Sequence, residues 1–184
     1  MTVVAFDSLG TLFALGDLRA RMARPLQHAA ALTLAGMWAP FDEIVQSVDR
    51  ELAERLTELE PYEDARRAVE RVRTNDAEPW VLTNGGRELT QALLDRGGLL
   101  DFVSEVRTTE EVRKYKPHPD VYGLLPGDAT LVAAHAWDVV GATRAGVRGV
   151  WVDRVEQQWP LPLPEAELRA SDLVSAAGLA IGPR

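Results

Sequence analysis

Short apolar runs separated by long helical stretches are the feature of this sequence that most limits its possible folds. Four runs of four or five mainly apolar residues, and a weaker fifth, lack the polar alternation of half-exposed strands. Such runs are typical of strands buried on both faces, as in a parallel sheet. Strands that alternate with helices predict a doubly wound α/β fold. We therefore predict a parallel five-stranded sheet, with strands over residues 2–6, 80–83, 102–106, 130–134 and 149–152.

The alternation is interrupted once, directly after the first strand. Two long segments of helical periodicity, residues 17–37 and 41–56, precede the helix that should lead into the second strand. We interpret residues 14–60 as a small helical cap over the mouth of the sheet, inserted into a core domain of residues 1–13 and 61–184. The alternative is an elaborated crossover that packs against the core.

Charge and composition exclude several classes of protein. The net charge of −8 argues against nucleic acid or an anionic membrane as the main partner. The absence of cysteine excludes disulfides and cysteine nucleophiles. No apolar run approaches the roughly 20 residues that span a bilayer, and the N-terminal segment lacks the basic region and cleavage site of a signal peptide. We therefore expect a soluble cytoplasmic protein.

Polar side chains follow the predicted strands at the edge where an open parallel sheet binds ligands. Asp7 follows the first strand, Thr83 ends the second, and Asp138 follows the fourth. Lys116, one of only two lysines beside 18 arginines, precedes the fourth strand. Each residue alone has a simpler explanation, such as a helix cap, a turn or a solvated charge. Their order and their convergence on one edge favour a reaction site.

Four segments, in order, resemble motifs of the haloacid dehalogenase superfamily. FDSLGTL contains Asp7, VLTNGG contains Thr83, KYKPHPDVY contains Lys116, and AHAWDVVGATRAGVRGVWVDR contains Asp138. The Ala-Trp-Asp tripeptide, the Lys-Pro-x-x-x-x-Tyr spacing and the Asn directly after Thr83 are similar to the L-2-haloacid dehalogenase branch. The resemblance covers nearly the whole chain and implies a Rossmann-like hydrolase fold.

The resemblance also implies a mechanism, in which Asp7 is a nucleophile that forms a covalent ester with the substrate. Thr11 and Thr83 would donate hydrogen bonds to Asp7 or to the ester oxygen. Lys116 would keep Asp7 ionised, because a nearby ammonium favours the charged carboxylate. Asp138 would orient Lys116 or the hydrolytic water. These five residues are the expected catalytic set.

The implied substrate is a small organic acid, and six residues are expected to contact it. Arg24, in the first cap helix, is the best candidate to bind the substrate carboxylate and the leaving halide, with Arg19 and Arg21 on the same segment. Gly10 would let backbone N–H groups approach the anion. His135 is either a packed loop histidine or an added general base. The full set is Leu9, Gly10, Arg24, Asn84, Tyr122 and His135.

Departures from the family patterns leave alternatives open. Leu9 stands where phosphatases have a second Asp and where the dehalogenase branch typically has Tyr. Ala134 stands where an acidic Mg²⁺ ligand is usual, and Mg²⁺ prefers charged oxygen ligands. We therefore expect no cofactor, no metal ligands and a metal-independent dehalogenase-type hydrolase. Because Ala133 and His135 replace the Ser and Asn of that branch, an atypical phosphatase and a catalytically lapsed binding protein remain alternatives.

A small cap has one further consequence, for association. It would leave apolar surface, such as Trp38 and Leu34, available for contact with a second copy of the chain. The expected partners are thus a small acid substrate and a second copy of this chain, which would form a homodimer.

Overall fold

The computed structural model describes residues 2–160, 162 and 164–182, and a fully parallel sheet of six strands lies at its centre. The strands follow the order β3-β2-β1-β4-β5-β6. Each neighbouring pair is parallel, with Ala5 opposite both Trp80 and Leu131. The strands are β1 (Val3–Phe6), β2 (Glu78–Thr83), β3 (Glu105–Thr108), β4 (Thr130–Ala133), β5 (Arg148–Val152) and β6 (Leu168–Ala170).

The predicted parallel α/β class is confirmed, whereas the predicted number of five strands is wrong. The sixth strand, β6, pairs with β5 at the edge of the sheet, with Arg169 opposite Trp151. It has three residues, of which only Ala170 is buried. A strand this short, with one side exposed at the sheet edge, produces no apolar run in the sequence. The weak run at residues 102–106 is also displaced, because β3 begins only at Glu105.

Helices cover both faces of the sheet. The side chains of β1 alternate, so that Val4 and Phe6 belong to one apolar cluster and Val3 and Ala5 to the other. The described part of the chain contains eight α-helices and three short 3₁₀ helices. The α-helices are α1 (Ala23–Leu34), α2 (Phe41–Val48), α3 (Arg50–Leu56), α4 (Ala65–Arg73), α5 (Arg87–Arg96), α6 (Pro119–Tyr122), α7 (Ala136–Arg144) and α8 (Leu173–Ile181).

The two predicted helices of the insertion are more broken than their periodicity indicates. A 3₁₀ helix, Gly16–Ala20, precedes α1. The second predicted helix divides into α2 and α3 at Asp49, whose backbone is extended. The Asp49 side chain accepts a hydrogen bond from Leu52 N at 3.0 Å and thereby caps α3. Asp favours such caps, because its carboxylate satisfies a free N–H group of the first helical turn.

The insertion packs against the sheet without a separate core of its own. Its buried side chains, including Met22, Phe41, Val45 and Leu52, belong to the same apolar cluster as Phe6. The cluster is therefore continuous from the insertion to one face of the sheet. None of the helices in the described ranges combines the length and the apolar character that a membrane span requires.

Candidate active site

Three adjacent strands bring the predicted polar side chains together at the carboxyl edge of the sheet. Asp7 directly follows β1, Thr83 ends β2, and Asp138 lies in α7, which follows β4. Strand β1 stands between β2 and β4, so the strand order reverses beside it. Ligand sites of open parallel sheets form at such a reversal, because the flanking loops diverge there.

Lys116 connects two carboxylates inside the protein. Its Nζ donates hydrogen bonds to Asp7 Oδ1 at 3.1 Å, to Asp138 Oδ2 at 2.8 Å and to Leu82 O at 2.7 Å. Its side chain is fully buried, and its backbone N–H donates to Asn84 Oδ1 at 3.0 Å. An ammonium has three N–H donors, so all three are used. The buried charge is therefore paired and fully hydrogen-bonded.

The surroundings of Asp7 keep its carboxyl group ionised. Burial alone would raise the pKa of Asp7, but the Lys116 ammonium, His135 and the Thr11 hydroxyl together hold it well below its usual range. Thr11 Oγ1 donates to Asp7 Oδ2 at 2.8 Å and accepts from Ala134 N at 3.0 Å. The hydroxyl hydrogen is thus directed at Asp7. An ionised carboxylate is the form that attacks carbon as a nucleophile.

Asp138 and Tyr122 lie behind the lysine and do not line the pocket. Both side chains are buried, and Tyr122 Oη donates to Asp138 Oδ1 at 2.7 Å. Burial, together with the negative charge of Asp7, raises the pKa of Asp138 although Lys116 opposes the change. Tyr122, a predicted substrate contact, therefore lies outside the lining of the cavity. Gly141 makes room for the ring, because a Cβ there would lie 2.4 Å from Tyr122 Oη.

His135 approaches Asp7 on the pocket side. Its Nδ1 lies 3.7 Å from Asp7 Oδ2, and its side chain is 15% exposed. Burial lowers the pKa of His135, but the Asp7 carboxylate more than offsets this and the net shift is upward. The imidazole is thus placed to exchange a proton close to Asp7.

Gly10 has a structural role that the sequence did not indicate. Its N–H donates to Phe13 O at 2.8 Å and is not free for a substrate anion. Its φ is +87°, which favours glycine, and a Cβ would lie 2.6 Å from His135 Cε1. The glycine therefore permits the turn after Asp7 and the close approach of His135.

A cavity of about 190 Å³ opens above Asp7, between the sheet edge and the insertion. Thr83 and Asn84 line it; Thr83 Oγ1 accepts from Gly85 N at 3.0 Å, which leaves its hydroxyl hydrogen for another acceptor. The core contributes Asp7, Leu9, Thr83, Asn84, Gly85, His135 and Trp137, and the insertion contributes Leu15, Arg19, Met22, Ala23, Leu26 and Phe41.

The structure does not bring Arg24 to this cavity. Helix α1 buries Pro25 and Ala29, and Arg24 lies off that face, exposed to solvent. Arg19 lines the cavity instead. Arg21 is bound to the Asp49 carboxylate through its Nε and one terminal nitrogen, at 2.8 and 2.6 Å. The structure therefore places Arg19, rather than the predicted Arg24, at the cavity.

Sequence analysis missed most of the apolar lining. Trp137 was indicated only indirectly, as the neighbour of Asp138 in a matched motif. Leu15, Met22, Leu26 and Phe41 carry no sequence signal, because apolar residues at helical spacing are equally typical of an ordinary core. Only the way in which the insertion packs on the sheet turns them toward Asp7.

The side chains at this edge do not suit Mg²⁺, which the resemblance to metal-dependent phosphatases raises as a possibility. The acidic groups are Asp7 and Asp138, and the Lys116 ammonium is hydrogen-bonded to both. Ala134 has no donor atom in its side chain. Within the described ranges, no three His, Asp or Glu residues are grouped closely enough to hold a metal ion. Mg²⁺ prefers octahedral oxygen ligands, so the residues present do not fit it.

Comparisons with known proteins find relatives among haloacid dehalogenases and one phosphatase. The family model for haloacid dehalogenase-like hydrolases matches residues 38–125. An (S)-2-haloacid dehalogenase of Xanthobacter autotrophicus is 30% identical over 139 residues, 72% of this chain. A phosphoserine phosphatase of Thermus thermophilus is 37% identical over 102 residues, 50% of this chain. The matched segments cover 53% and 40% of these relatives, so the chain spans about half their length or less.

The fold is also similar to that of a solved structure. The L-2-haloacid dehalogenase of Xanthobacter autotrophicus, described with chloropropionic acid covalently bound, superposes with a TM-score of 0.85. The match covers 98% of both chains at 20% sequence identity. At this identity the likeness supports the fold.

Proposed function

This chain belongs to the haloacid dehalogenase-like superfamily, and we propose that it is a hydrolase that removes halide from a small 2-haloacid without a metal ion. One observation carries the proposal: the Asp7 carboxyl group lines the cavity and accepts a hydrogen bond from the buried Lys116. The similarity to (S)-2-haloacid dehalogenases supports the substrate class.

In the first step, a carboxylate oxygen of Asp7 attacks the carbon that bears the halogen. The new carbon–oxygen bond forms as the carbon–halogen bond breaks, and the halide leaves with the bonding electron pair. The product is an ester of Asp7, and no proton moves. Lys116 and Thr11 keep Asp7 anionic before the attack, when its charge is required. A protein of similar fold is described with chloropropionic acid covalently bound, which supports an ester intermediate.

In the second step, water adds to the carbonyl carbon of the ester and gives one proton to His135. The bond between Asp7 Cγ and the ester oxygen breaks, and the departing 2-hydroxy acid takes that proton. Asp7 regains its charge and releases the second water proton to solvent. Ester formation removes the Asp7 anion, which is one cause of the raised pKa of His135, and this favours the neutral imidazole that can accept a proton.

Residues 14–60 act as the cap over a core of residues 1–13 and 61–184. Arg19, from the cap, binds the substrate carboxylate across the cavity from Asp7. A guanidinium suits this position, because it presents paired N–H donors to a carboxylate and stays charged. Asp138 and Tyr122 position Lys116 from behind. The expected cytoplasmic location and the homodimer stay predictions.

Halide release from a panel of 2-haloacids, each assayed with Mg²⁺ and with a chelator, tests this proposal. We expect release that the chelator does not change. Asp7→Asn should abolish it, and mass spectrometry of the wild type during turnover should find a covalent adduct on Asp7. Asp95→Asn, the same substitution at an exposed position of α5, is the matched control and should keep activity. Adduct-free or chelator-sensitive release would contradict the mechanism.

A phosphatase is the second candidate function, and the similarity to a phosphoserine phosphatase favours it. Phosphate esters in the same panel distinguish it, since that reaction predicts phosphate release that stops with chelator. A lack of turnover on every compound would instead favour the binding-protein alternative.

A further inference from the structure

We propose that the cavity selects 2-haloacids with a bulky apolar substituent, branched or phenyl-sized, over haloacetates, and that Leu9 sets this preference. The inference rests on the proposed function, since it names the substrate class of the same site. It concerns the part of the cavity that the chemistry of Asp7, Lys116 and His135 leaves unused.

Most of the side chains that line the cavity are apolar. Leu9 comes from the turn after β1, and Trp137 comes from the first turn of α7. The insertion closes the cavity with aliphatic and aromatic side chains, those of Leu15, Met22, Leu26 and Phe41. Burying an apolar substituent against such a wall is favourable by about 25 cal/mol for each Å² removed from water. A haloacetate has no substituent to make these contacts.

The volume of the cavity matches a large substituent. About 190 Å³ is available, whereas an apolar cavity of about 150 Å³ holds benzene in a well-studied lysozyme variant. The carboxylate, the halogen and the reacting carbon share this volume, so a branched alkyl group, or at most a phenyl ring, fills the cavity. A substrate without one leaves side chains of the wall without contact partners.

Charge orients the substrate so that the substituent meets this wall. Among the residues described, the cavity lining includes one lysine or arginine side chain, that of Arg19, and one carboxylate, that of Asp7. The substrate carboxylate is attracted by Arg19 and repelled by Asp7, while its halogen-bearing carbon must face Asp7. The remaining substituent on that carbon is directed to the apolar wall.

Leu9 is the residue that controls the space nearest Asp7. It follows Asp7 by two positions, and its backbone bridges to Phe13, which fixes the turn that carries it. A tyrosine here, as the dehalogenase resemblance implies, adds a ring and a hydroxyl group to the cavity. Leucine keeps that space open and apolar, so the preference for bulk depends on it.

Calorimetric binding of unreactive acids measures the preference without chemistry. The probes are acetate, butanoate, 3-methylbutanoate and phenylacetate, with wild type, Leu9→Tyr and Leu34→Tyr. In the wild type we expect Kd to fall about fourfold for each added methylene that fits, with phenylacetate among the tightest. In Leu9→Tyr the Kd values of the four acids should differ much less. Leu34→Tyr, the same change at a position that is 89% exposed, is the matched control and should keep the wild-type differences in Kd.

Halide release from 2-bromoacetate and from 2-bromo-3-methylbutanoate, with the same variants, separates this inference from the proposed function. We expect kcat/KM to favour the branched acid in the wild type and the short acid in Leu9→Tyr. Release without preference, together with a flat binding series, would overturn the inference and leave the hydrolase proposal standing. A graded binding series without any release would support the selective cavity and overturn the hydrolase. Leu26→Phe, which enlarges a lining residue of α1, replaces Leu9→Tyr if that variant does not fold. A binding series that Leu26→Phe leaves unchanged would also count against the inference.

Discussion

One buried ammonium between two buried carboxylates is the central feature at the scale of residues. Lys116 reaches Asp7 and Asp138 from the loop before α6, and the side chains of these three residues are at most 10% exposed. Buried ion pairs contribute little net stability, because desolvation offsets their attraction, yet removing one partner is costly. Such an arrangement is better explained by the reactivity that it gives Asp7 than by stability.

Replacing the lysine tests that explanation. At neutral pH we expect Lys116→Met to lower the free energy of unfolding by about 3–5 kcal/mol, because two carboxylates lose their partner. The deficit should shrink as the pH falls. In the variant the pKa values of Asp7 and Asp138 rise, so protonation at low pH relieves the repulsion between them. In the wild type the lowered pKa of Asp7 stabilises the fold at pH values above the ordinary carboxyl pKa, and this stability is lost as the pH falls below it.

Urea unfolding at several pH values measures this difference. Lys114→Met, which removes the other lysine from the same segment, is the control and should change stability little. An equal deficit at every pH would show that lost packing, rather than unpaired charge, is the cause.

The histidine beside Asp7 makes a second prediction about pH. The pKa of His135 is raised in the folded protein, so its contribution to stability is fully present below about pH 6.5, the ordinary value, and is lost as the pH rises through the folded pKa. We expect wild type to gain stability over His135→Asn on acidification from neutral pH to about pH 6. Paired thermal or urea unfolding curves measure the gain, and a pH-independent difference would contradict the coupling to Asp7.

At the scale of elements, the insertion is attached to the core through the residue next to the lysine. Tyr115 Oη donates to Ala39 O, its backbone N donates to Thr33 Oγ1 at 3.0 Å, and its ring stacks on Trp38 with centroids 4.7 Å apart. Asp42 of α2 accepts from Gly86 N, at the start of α5, at 3.4 Å. These contacts hold the cap segment, residues 14–60, over the loop that carries Thr83 and Asn84.

Removing the tyrosine hydroxyl should loosen the cap segment more than the core. We expect Tyr115→Phe to cost about 1 kcal/mol, the typical net value of one hydrogen bond. Amide hydrogen exchange should accelerate in α1 and α2, while α4 and α8, which pack on each other, serve as the internal reference. Uniform acceleration in all four helices would mean that the cap and the core open as one unit.

At the scale of the whole molecule, the continuous apolar cluster joins the insertion and the sheet, and both contribute residues to the cavity. The outer face of the cap segment is less well covered. Leu34 is 89% exposed and Met37 is 60% exposed, whereas Trp38, also predicted for a dimer contact, is partly covered by its stacking on Tyr115. Exposed apolar groups of this size are favourable contact points for a second copy.

Sedimentation at several concentrations tests the predicted homodimer. We expect the wild type to sediment as a dimer and Leu34→Glu as a monomer, because a buried unpaired carboxylate is strongly unfavourable. Ala30→Glu adds the same charge to the same helix at a half-buried position, and it should leave the dimer intact if the contact at Leu34 is specific. A wild type that stays monomeric at all concentrations would exclude the dimer.

Local pattern was sufficient for the four central strands of the sheet and for the polar groups at its carboxyl edge. The β1, β2, β4 and β5 strands are apolar runs because both of their faces are buried, and that requirement is written in consecutive residues. Asp7, Thr83, Lys116 and Asp138 could be assigned to one edge because the carboxyl ends of parallel strands share it. Edge strand β6 was missed because a half-exposed strand of three residues requires no apolar run.

Tertiary structure alone decided which side chains surround those groups. Arg19 rather than Arg24 lines the cavity, Tyr122 lies behind Asp138, and Gly10 accommodates His135. Each outcome depends on how an element is rotated and seated against residues distant in sequence. The burial periodicity of a helix shows that it has an apolar face, but packing against the other elements determines what that face meets.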